Sequence, residues 1–443
     1  MSSEAVTLLG VIRQHSERPL LIQGDEQLTP SALVDAALKI RSAYPELENA
    51  GVALQFSDNL KLLITLLAMD GFAAEILLLP PCLADTSLEH TISATGVSWL
   101  FRESGPTALA PEPAAVRAHD ATHWLFTTSG TTGTPKVFSH TLSSLLTTTR
   151  PARGKSRESR WGLAYQPHRF AGIQVVLQTL VSGSVLVMPA ANDINSMVES
   201  FVGNGVNTLS ATPSQWRNFL SHGGLDRCPL RQITLGGEIA DQAILSALAH
   251  QFPAARIVHI YASTEAGVGF SVADGKAGFP EAWLGRHTAL ELGISDSGSL
   301  LIKSPAISHS ESLRPRLTPD GFLDTEDGVE TANGRVYFLG RVTGIINVGG
   351  NKVHPEEVEN VVREVPGVRN ALVRAKNNPI MGQLVLLEVQ ADGLSAEEAG
   401  ELKRRIRDHC RALLPAYKVP ALITVVDELA VSDSGKIERK KSA

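Results

Sequence analysis

The hydrophobic and polar positions along the first 120 residues alternate between helical and strand-like patterns. Residues 31–43 and 59–69 have the helical period, whereas 51–55 and 76–79 are short apolar runs. Alternation of this kind predicts a layered α/β domain. Further strand-like runs, each leading into a polar or glycine-containing segment, lie at 161–165, 185–188, 207–211, 232–236 and 256–260.

The pattern changes after residue 341. A helix is predicted at 356–364, and a capping box formed by Ser395 and Glu398 starts a second helix that ends near Leu414. Strands are expected at 371–375, 384–389 and 423–426. We therefore predict a large domain, 1–341, and a small α+β domain, 342–443, which is a size that can fold independently. Residues 106–113 are predicted to be a proline-interrupted link within the large domain.

Composition limits the possible functions. The net charge is −6, and Lys and Arg concentrate only in short runs, which argues against a general nucleic-acid binder. Cys82, Cys228 and Cys410 have no metal-ligand spacing and are expected to be reduced thiols. The N-terminus has no basic region before an apolar one, and the apolar segment 62–79 is interrupted by polar residues and glycine. A cytoplasmic protein without a membrane span is expected.

A loop rich in hydroxyl groups and glycine, 127–136, is the strongest chemical signal. Gly130 and Gly133 allow the backbone N–H groups to converge, and Lys136 adds positive charge, as a polyphosphate site requires. The loop is not a Walker motif, because Pro135 and Val137 flank the lysine. The hydroxyls of Ser129, Thr131 and Thr132 add neutral hydrogen-bond donors to this loop.

A second signal follows the strand-like run at 256–260. Tyr261, Thr264 and Glu265 place an aromatic ring, a hydroxyl and a carboxylate at the end of a strand. These groups can stack a purine, donate to a phosphate and bind Mg²⁺, although a purely structural role is equally compatible with this segment alone.

These two segments resemble motifs of the adenylate-forming (AMP-binding) superfamily, in its acyl-CoA and aryl-CoA synthetase branch. Further matches follow in family order: two segments that resemble the family's ribose-binding turns, at 320–327 and 334–341 with Asp327 and Arg341 for the sugar, a glycine-bearing segment at 345–355, and a terminal Gly-Lys-Ile-Glu-Arg at 435–439. The resemblance covers nearly the whole chain. It implies a large N-terminal α/β domain and a small mobile C-terminal domain that rotates between two reaction steps.

The resemblance also implies roles for individual residues. Lys436, Thr264, Glu265 and Lys136 would be catalytic, with Glu265 also binding Mg²⁺. The nucleotide would be bound by Thr128, Ser129, Gly130, Thr131, Thr132, Gly133, Gly236, Gly237, Glu238, Tyr261, Asp327 and Arg341. The acid pocket would be formed by His168, Phe170, Gly172, Ala211, Thr212 and Gly267. Gly349 and Gly350 would line the thiol channel, and Thr343 would be the hinge.

Some positions depart from the family pattern. Val137 follows the loop lysine where glycine is frequent, Ala262 replaces the glycine of the second motif, and Glu326 replaces the glycine before Asp327. Thr343 stands where the family hinge usually has Asp or Lys. The adenylating step looks intact, whereas the rate or extent of domain rotation is open.

The resemblance implies ATP-dependent activation of a carboxylic acid and thioester formation with coenzyme A. The segment 166–172 has no carboxylate to bind an α-amine, which favours a fatty or aryl acid over an amino acid. His168 would shield the carboxylate or simply pack, and Arg169 would pair with a second acidic group or be structural. The phosphopantetheine of an acyl carrier protein is an alternative thiol. A nucleotide-binding pseudoenzyme is a further alternative.

Overall fold

Four β-sheets and the helices that pack on them form the part of the chain that the structure describes. This computed structural model describes residues 6–83, 85–109, 121–128, 136–149, 158–308, 310–378, 381–391 and 393–429. Strands and helices are numbered in chain order. The described helices are α1 (Leu8–Ile12), α2 (Pro30–Ala43), α3 (Asn59–Met69), α4 (Asp85–Thr95), α5 (Leu142–Leu145), α6 (Phe170–Ser182), α7 (Ile194–Gly203), α8 (Pro213–His222), α9 (Gln242–Gln251), α10 (Pro355–Arg363) and α11 (Ala396–Leu413).

Sheet 1 has eight strands and is parallel except at its two edges. In spatial order it contains β14 (Gly267–Val272), β13 (Arg256–Ser263), β12 (Gln232–Gly236), β11 (Thr208–Ala211), β9 (Arg160–Leu163), β10 (Val185–Met188), β1 (Leu21–Gln23) and β2 (Glu26–Leu28). Parallel strands joined by helices place their carboxyl ends along one edge, where open α/β sheets bind ligands. The predicted strand-like runs therefore end together, as the pattern required.

Sheet 2 is the second layer of the α/β part. Its order is β6 (Gly105–Ala108), β5 (Trp99–Arg102), β3 (Gly51–Gln55), β4 (Glu75–Leu79), β7 (His123–Thr128) and β8 (Lys136–Thr141). The prediction of a link at 106–113 is wrong at its start, because β6 pairs antiparallel with β5. Pro106 is tolerated there because β6 is an edge strand, in which outward-facing positions need no N–H to donate to a neighbouring strand. The rest of that link, from residue 110, lies outside the described residues.

Sheet 3 is antiparallel. It contains β15 (Phe279–Pro280), β20 (Arg335–Arg341), β19 (Leu323–Ala332), β18 (Ser299–Lys303), β17 (Leu290–Ile294) and β16 (Gly285–His287). Most of 323–327 and 335–341, which were interpreted as turns, belongs to the paired strands β19 and β20. The turn lies between them, at Asn333 and Gly334, which both have positive φ. An Asn-Gly pair between two strands is a strong hairpin signal, and it was not among the features predicted from the sequence.

Sheet 4 carries the C-terminal part of the chain. It contains β22 (Asn351–Val353), β21 (Ile346–Val348), β24 (Gly382–Gln390) and β23 (Asn370–Asn378), with β25 (Leu422–Val426) paired to β24. Its apolar face packs with α10 and α11 around a separate core that includes Val358, Leu387 and Ile406. The Ser395 and Glu398 capping box is present at the start of α11. A small α+β unit follows the large one, as predicted, while its boundary at residue 341 stays a prediction.

A charged junction connects α10 to the α8–α9 region. Asp241 caps α9 by accepting the N–H of Ile244 at 2.9 Å. Its carboxylate also pairs with Arg217 and lies 3.6 Å from Arg363 of α10. Burial, together with the neighbouring Arg363, lowers the pKa of Arg217. Asp241 thus compensates the buried Arg217 and also lies near Arg363, which Glu359 of α10 pairs with at 3.1 Å, and this carboxylate joins the two units of the chain.

A buried carboxylate also organises the N-terminal core. Asp70 follows α3, and its two oxygens accept the N–H of Leu8 at 2.7 Å and Nε1–H of Trp124 at 3.0 Å. Arg41 donates to the Asp70 carbonyl at 2.6 Å. Burial raises the pKa of Asp70 to about 6, and the two hydrogen bonds oppose that rise. This side chain connects α1, α3 and β7 in the interior.

Two smaller expectations can be compared with the structure. Cys82, Cys228 and Cys410 are all free, and the last two are buried. Within the described ranges, every helix is too short or too polar to cross a bilayer.

Candidate active site

A cavity of 760 Å³ lies at the carboxyl edge of sheet 1 and continues beneath α6. Residues predicted to bind the nucleotide and residues predicted to bind the acid both line it. The former are Thr128, Gly236 and Gly237, and the latter are Phe170 and Thr212; Thr264, predicted to be catalytic, also lines the cavity. Segments far apart in the sequence therefore meet at one site.

The phosphate loop is carried by a β-hairpin. Thr128 of β7 pairs with Lys136 of β8, and the loop residues between them, Ser129, Gly130, Thr131, Thr132 and Gly133 among them, lie outside the described residues. The hairpin is held by the connection between β18 and β19, because the Ser310 hydroxyl donates to the Val137 carbonyl at 2.8 Å. His140 is buried and its Nε2 lies 2.8 Å from the Thr264 carbonyl oxygen. The base of the loop is thereby fixed to the second motif.

Thr264 and Glu265 follow β13 directly. Glu265 is mostly buried, and its Oε1 lies 3.7 Å from Nη1 of Arg316. Its backbone carbonyl accepts the N–H of Ser308 at 2.8 Å. Arg316 is fixed in turn by donating Nε–H to the Asp324 carbonyl at 2.8 Å. The carboxylate predicted to bind Mg²⁺ is therefore orientated by an arginine that our sequence analysis did not identify.

Asp327 and Arg341 are partners across β19 and β20. Arg341 Nε lies 3.0 Å from Asp327 Oδ1, and the Tyr261 hydroxyl donates to Oδ2 at 2.7 Å. Burial raises the pKa of Asp327, while Arg341 and the tyrosine hydrogen bond oppose that rise. The Tyr261 ring stacks against Phe270 and Phe338, with centroid separations of 5.3 and 5.2 Å. The predicted ribose residues thus form one hydrogen-bonded group, and their contacts with a nucleotide stay a prediction.

Glu326 has an unusual backbone for a residue with a side chain. Its φ is +60°, in the left-handed region that normally favours glycine. The carboxylate lies 3.7 Å from Arg316 and 3.8 Å from Arg341. Glu265, Glu326 and Asp327 therefore alternate with two arginines along one edge of the site.

The turn after β12 contains Gly236, Gly237 and Glu238. Gly237 has φ +83°, a backbone conformation that only glycine adopts at low energetic cost. Both glycines line the cavity. Glu238 accepts the N–H of Ser214 at 2.9 Å at the start of α8. The turn is thus anchored to the helix that follows the neighbouring strand.

The predicted acid pocket is only partly formed by the residues named for it. Phe170 and Thr212 line the cavity, and Thr212 also caps α8 in a capping box with Gln215. The other four lie behind the lining. A Cβ on Gly172 would lie 2.1 Å from the Gln166 carbonyl oxygen, and one on Gly267 would lie 2.7 Å from Ala306. Those two glycines allow close packing of the wall.

His168 and Ala211 are the other two residues behind the lining, and both are buried. Burial, with a smaller contribution from Arg169, lowers the pKa of His168 to about 3, so its imidazole is neutral at physiological pH. Arg169 itself lines the cavity at the start of α6. The packing alternative for His168 therefore fits this arrangement better than a direct role at the carboxylate.

The residues predicted for the second reaction step lie in the C-terminal part. Gly349 and Gly350 have φ +57° and +85° and form the tight turn between β21 and β22. Thr343 lies in a short 3₁₀ turn, Val342–Gly344, directly after Arg341. Lys436 lies outside the described residues. The roles of these residues as thiol channel, hinge and catalytic lysine stay predictions.

Several side chains that shape the site carry no motif in the sequence. His140 contacts the Thr264 carbonyl and Arg316 contacts the Glu265 carboxylate. Both partners are far away in the sequence, so no local spacing predicts these contacts. The lining amides and hydroxyls under α6 were also missed. Their signal is present, because Gln174 and Gln178 interrupt an otherwise apolar helix four residues apart.

Comparison with known proteins gives the family context. Residues 60–289 match the family described as AMP-binding enzyme, and residues 357–436 match the AMP-binding enzyme C-terminal domain. The chain is 26% identical to the 2-succinylbenzoate–CoA ligase of Listeria monocytogenes serotype 4b (strain F2365), over 71% of this chain and 68% of that protein. It is 25% identical to the D-alanine–D-alanyl carrier protein ligase of Staphylococcus aureus (strain Newman), over 74% and 72% of the two chains.

Solved structures agree on the architecture. An anthranilate CoA ligase in complex with anthranoyl-AMP superposes with a TM-score of 0.80 at 17% identity, covering 98% of this chain and 95% of that one. The o-succinylbenzoate CoA synthetase of Bacillus subtilis, in complex with its acyl-adenylate, gives 0.77 at 20% identity, with 98% of both chains covered. The predicted adenylate-forming fold, with a large and a small domain, is confirmed. On the combined evidence of the matched regions and the fold, the chain belongs to the AMP-binding enzyme family.

Proposed function

We propose that this chain is an acid–thiol ligase that converts a carboxylic acid to an acyl-adenylate and then to a coenzyme A thioester. A substrate carboxylate oxygen attacks the α-phosphorus of ATP and pyrophosphate leaves. The thiol sulfur then attacks the acyl carbon and AMP leaves. The observation that carries the proposal is the shared cavity, in which Thr128, Thr264 and the Gly236–Gly237 turn open directly onto a deep slot under α6.

The described residues fit the first step. Thr264 and Lys136 would contact phosphate oxygens, and Asp327 would accept the ribose hydroxyls. Glu265 would supply one carboxylate to Mg²⁺, which is sufficient because this ion takes its other ligands from phosphates and water. The bound ion would neutralise charge on the phosphates. Arg316 holds that carboxylate in place, so the site is orientated before the substrates bind.

The test is acid-dependent release of pyrophosphate from ATP and Mg²⁺, measured with a panel of fatty, aryl and amino acids. Lys436→Ala should reduce release by about a hundredfold or more, since it removes a charge from the transition state. Lys440→Ala provides a matched control in the same terminal segment. Equal loss in both variants would count against a specific role for Lys436.

The thiol is the second question. Relatives include a D-alanyl carrier protein ligase as well as CoA ligases, so an acyl carrier protein is the alternative acceptor. Release of AMP from the preformed acyl-adenylate distinguishes them. Free coenzyme A should be sufficient under our proposal, whereas a carrier-loading enzyme would release AMP efficiently only with its protein partner.

A further inference from the structure

Glu326 belongs to a chain of alternating charges that runs from the Glu265 carboxylate to the Asp327 carboxylate. Arg316 Nη1 lies 3.7 Å from Glu265 Oε1 and also 3.7 Å from Glu326 Oε2. The same Glu326 oxygen lies 3.8 Å from Arg341 Nη1, and Arg341 Nε lies 3.0 Å from Asp327 Oδ1. The chain thus connects the residue predicted to bind Mg²⁺ with the residue predicted to bind ribose.

The left-handed backbone at Glu326 brings its carboxylate into this chain. In a regular strand, neighbouring side chains point to opposite faces of the sheet. Arg341 nevertheless contacts the carboxylates of both Glu326 and its neighbour Asp327. The φ of +60° interrupts the alternation, and Asp324 stabilises this conformation by accepting the Glu326 N–H at 2.8 Å. Glycine would adopt the same backbone more readily, but it would supply no carboxylate.

The outer end of Arg316 lies between two carboxylates without a hydrogen bond to either. A separation of 3.7 Å is an ion pair and is too long for a hydrogen bond. The inner end is fixed, since Nε–H donates to the Asp324 carbonyl at 2.8 Å. A small movement of the guanidinium about this fixed end would therefore bring Nη1 into hydrogen-bonding distance of one carboxylate.

Binding of Mg²⁺ at Glu265 would place a second cation beside the one that Arg316 carries. The carboxylate fits the ion, because a contact of 3.7 Å does not occupy an oxygen lone pair. The Arg316 and Glu265 side chains are each only 13% exposed, so water screens the repulsion between the two cations weakly. Glu326 offers Arg316 a second acceptor at the same distance as the first.

We propose that Glu326 is a positioning residue for the metal site: it accepts the Arg316 guanidinium when Mg²⁺ occupies Glu265, so that the arginine does not compete for that carboxylate. This inference rests on the proposed function for the role of Glu265. In this role Glu326 contacts neither the nucleotide nor the acid and acts through Arg316. The role also accounts for a negative side chain at a position whose backbone favours glycine.

Calorimetric titration of ATP into the full chain without any acid tests this role, because binding is then measured without turnover. The quantity of interest is the ratio of the ATP Kd in EDTA to the ATP Kd in saturating Mg²⁺, which reports the coupling between ion and nucleotide. Glu326→Gln keeps the side-chain size and should lower this ratio by about threefold to fivefold, as for a partly exposed ion pair. Glu330→Gln, at an exposed position of the same strand, is the control and should leave the ratio unchanged.

A double-mutant cycle tests whether the Glu326 carboxylate acts through Arg316. In an Arg316→Gln background, Glu326→Gln should change the ratio by less than about 1.5-fold. An equal reduction in both backgrounds would show that Glu326 acts on the ion directly, and it would overturn the proposal. A ratio that Glu326→Gln leaves unchanged in the otherwise wild-type chain would overturn it as well.

The same measurements separate failure of this inference from failure of the proposed function. ATP binding that does not respond to Mg²⁺ in the wild-type chain would overturn the inference together with the metal role of Glu265. A response to Mg²⁺ that depends on Glu326 and Arg316, without pyrophosphate release from any acid, would support the inference and contradict the ligase function.

Discussion

Protonation of Asp70 should make the N-terminal core more stable in mildly acidic solution than at neutral pH. This carboxyl group is 2% exposed and lies between α1, α3 and β7. Burial disfavours the charged form more than the hydrogen bonds from Leu8 and Trp124 favour it. The folded state therefore binds a proton more tightly than the unfolded state does.

The size and sign of the effect follow from the two pKa values. Burial raises the pKa of Asp70 from the ordinary value of 3.8 to about 6. At about 1.4 kcal/mol per pH unit, this difference corresponds to about 3 kcal/mol of unfolding free energy. Because the folded pKa is the higher one, that stability is fully present below pH 4 and is lost as the pH rises through about 6.

Urea unfolding of the wild type and of Asp70→Asn, followed by tryptophan fluorescence between pH 4.5 and 8, measures this contribution. The difference in unfolding free energy between the two should fall by about 2 kcal/mol over that interval, because pH 4.5 already lies above the unfolded-state pKa. Asp35→Asn, which changes an exposed aspartate on α2, is the control and should follow the wild type. A wild-type minus Asp70→Asn difference that is constant, or that grows with pH, would refute the reasoning.

Three further predictions concern the site and its supports. Gly172→Ala should lower the unfolding free energy by about 1 to 3 kcal/mol and reduce pyrophosphate release, because the added methyl group meets the cavity wall. Glu326→Ala should unfold more easily than Glu326→Gly by about 1 kcal/mol, since only glycine relieves the left-handed backbone. Asp241→Asn keeps the helix cap but leaves the buried Arg217 without its carboxylate, whereas Arg363 retains Glu359, and the change should cost about 3 kcal/mol in urea unfolding.

Each of these variants has a counterpart. Gly203→Ala places a methyl group in open space at the end of α7 and should be neutral or slightly stabilising, so equal damage from both alanines would contradict the packing argument. If Glu326→Ala proves more stable to unfolding than Glu326→Gly, the backbone strain at position 326 is absent. Asp193→Asn changes an exposed helix cap and should leave the unfolding free energy unchanged. If Asp241→Asn also leaves it unchanged, the proposed role of the Asp241 charge is contradicted.

Much of the fold was predictable because its elements have strong local signals. Strand 51–55, helix 59–69 and strand 185–188 were predicted with the bounds that the structure has, since each is an apolar run between clear stop signals. Errors arose where pairing partners determine the structure. Pro106 lies in a strand because β5 provides the other half of the ladder, and 323–327 is extended because β20 pairs with it.

The site was less predictable than the fold. Motif residues such as Thr128, Thr264 and Gly237 do line one cavity. The groups that fix them, above all His140 and Arg316, act across 124 and 51 positions of sequence respectively. Which side chains of sheet 1 lie side by side in the cavity depends on the register between neighbouring strands. A single sequence does not give that register, so it could not align Gln232 with Arg256.

The row of side chains on the face of sheet 1 also bears on how readily this enzyme could acquire a different substrate. Ser210, Gln232, Thr234 and Arg256 project into the slot from strands whose backbone hydrogen bonds do not depend on those side chains. Substitutions at the partly exposed Gln232 and the exposed Arg256 would change the shape and charge offered to the acid at little cost to folding, whereas Ser210 and Thr234 are buried. Gly237, with its positive φ, has no such freedom. Acid preference can therefore diverge rapidly among descendants while nucleotide chemistry is inherited unchanged.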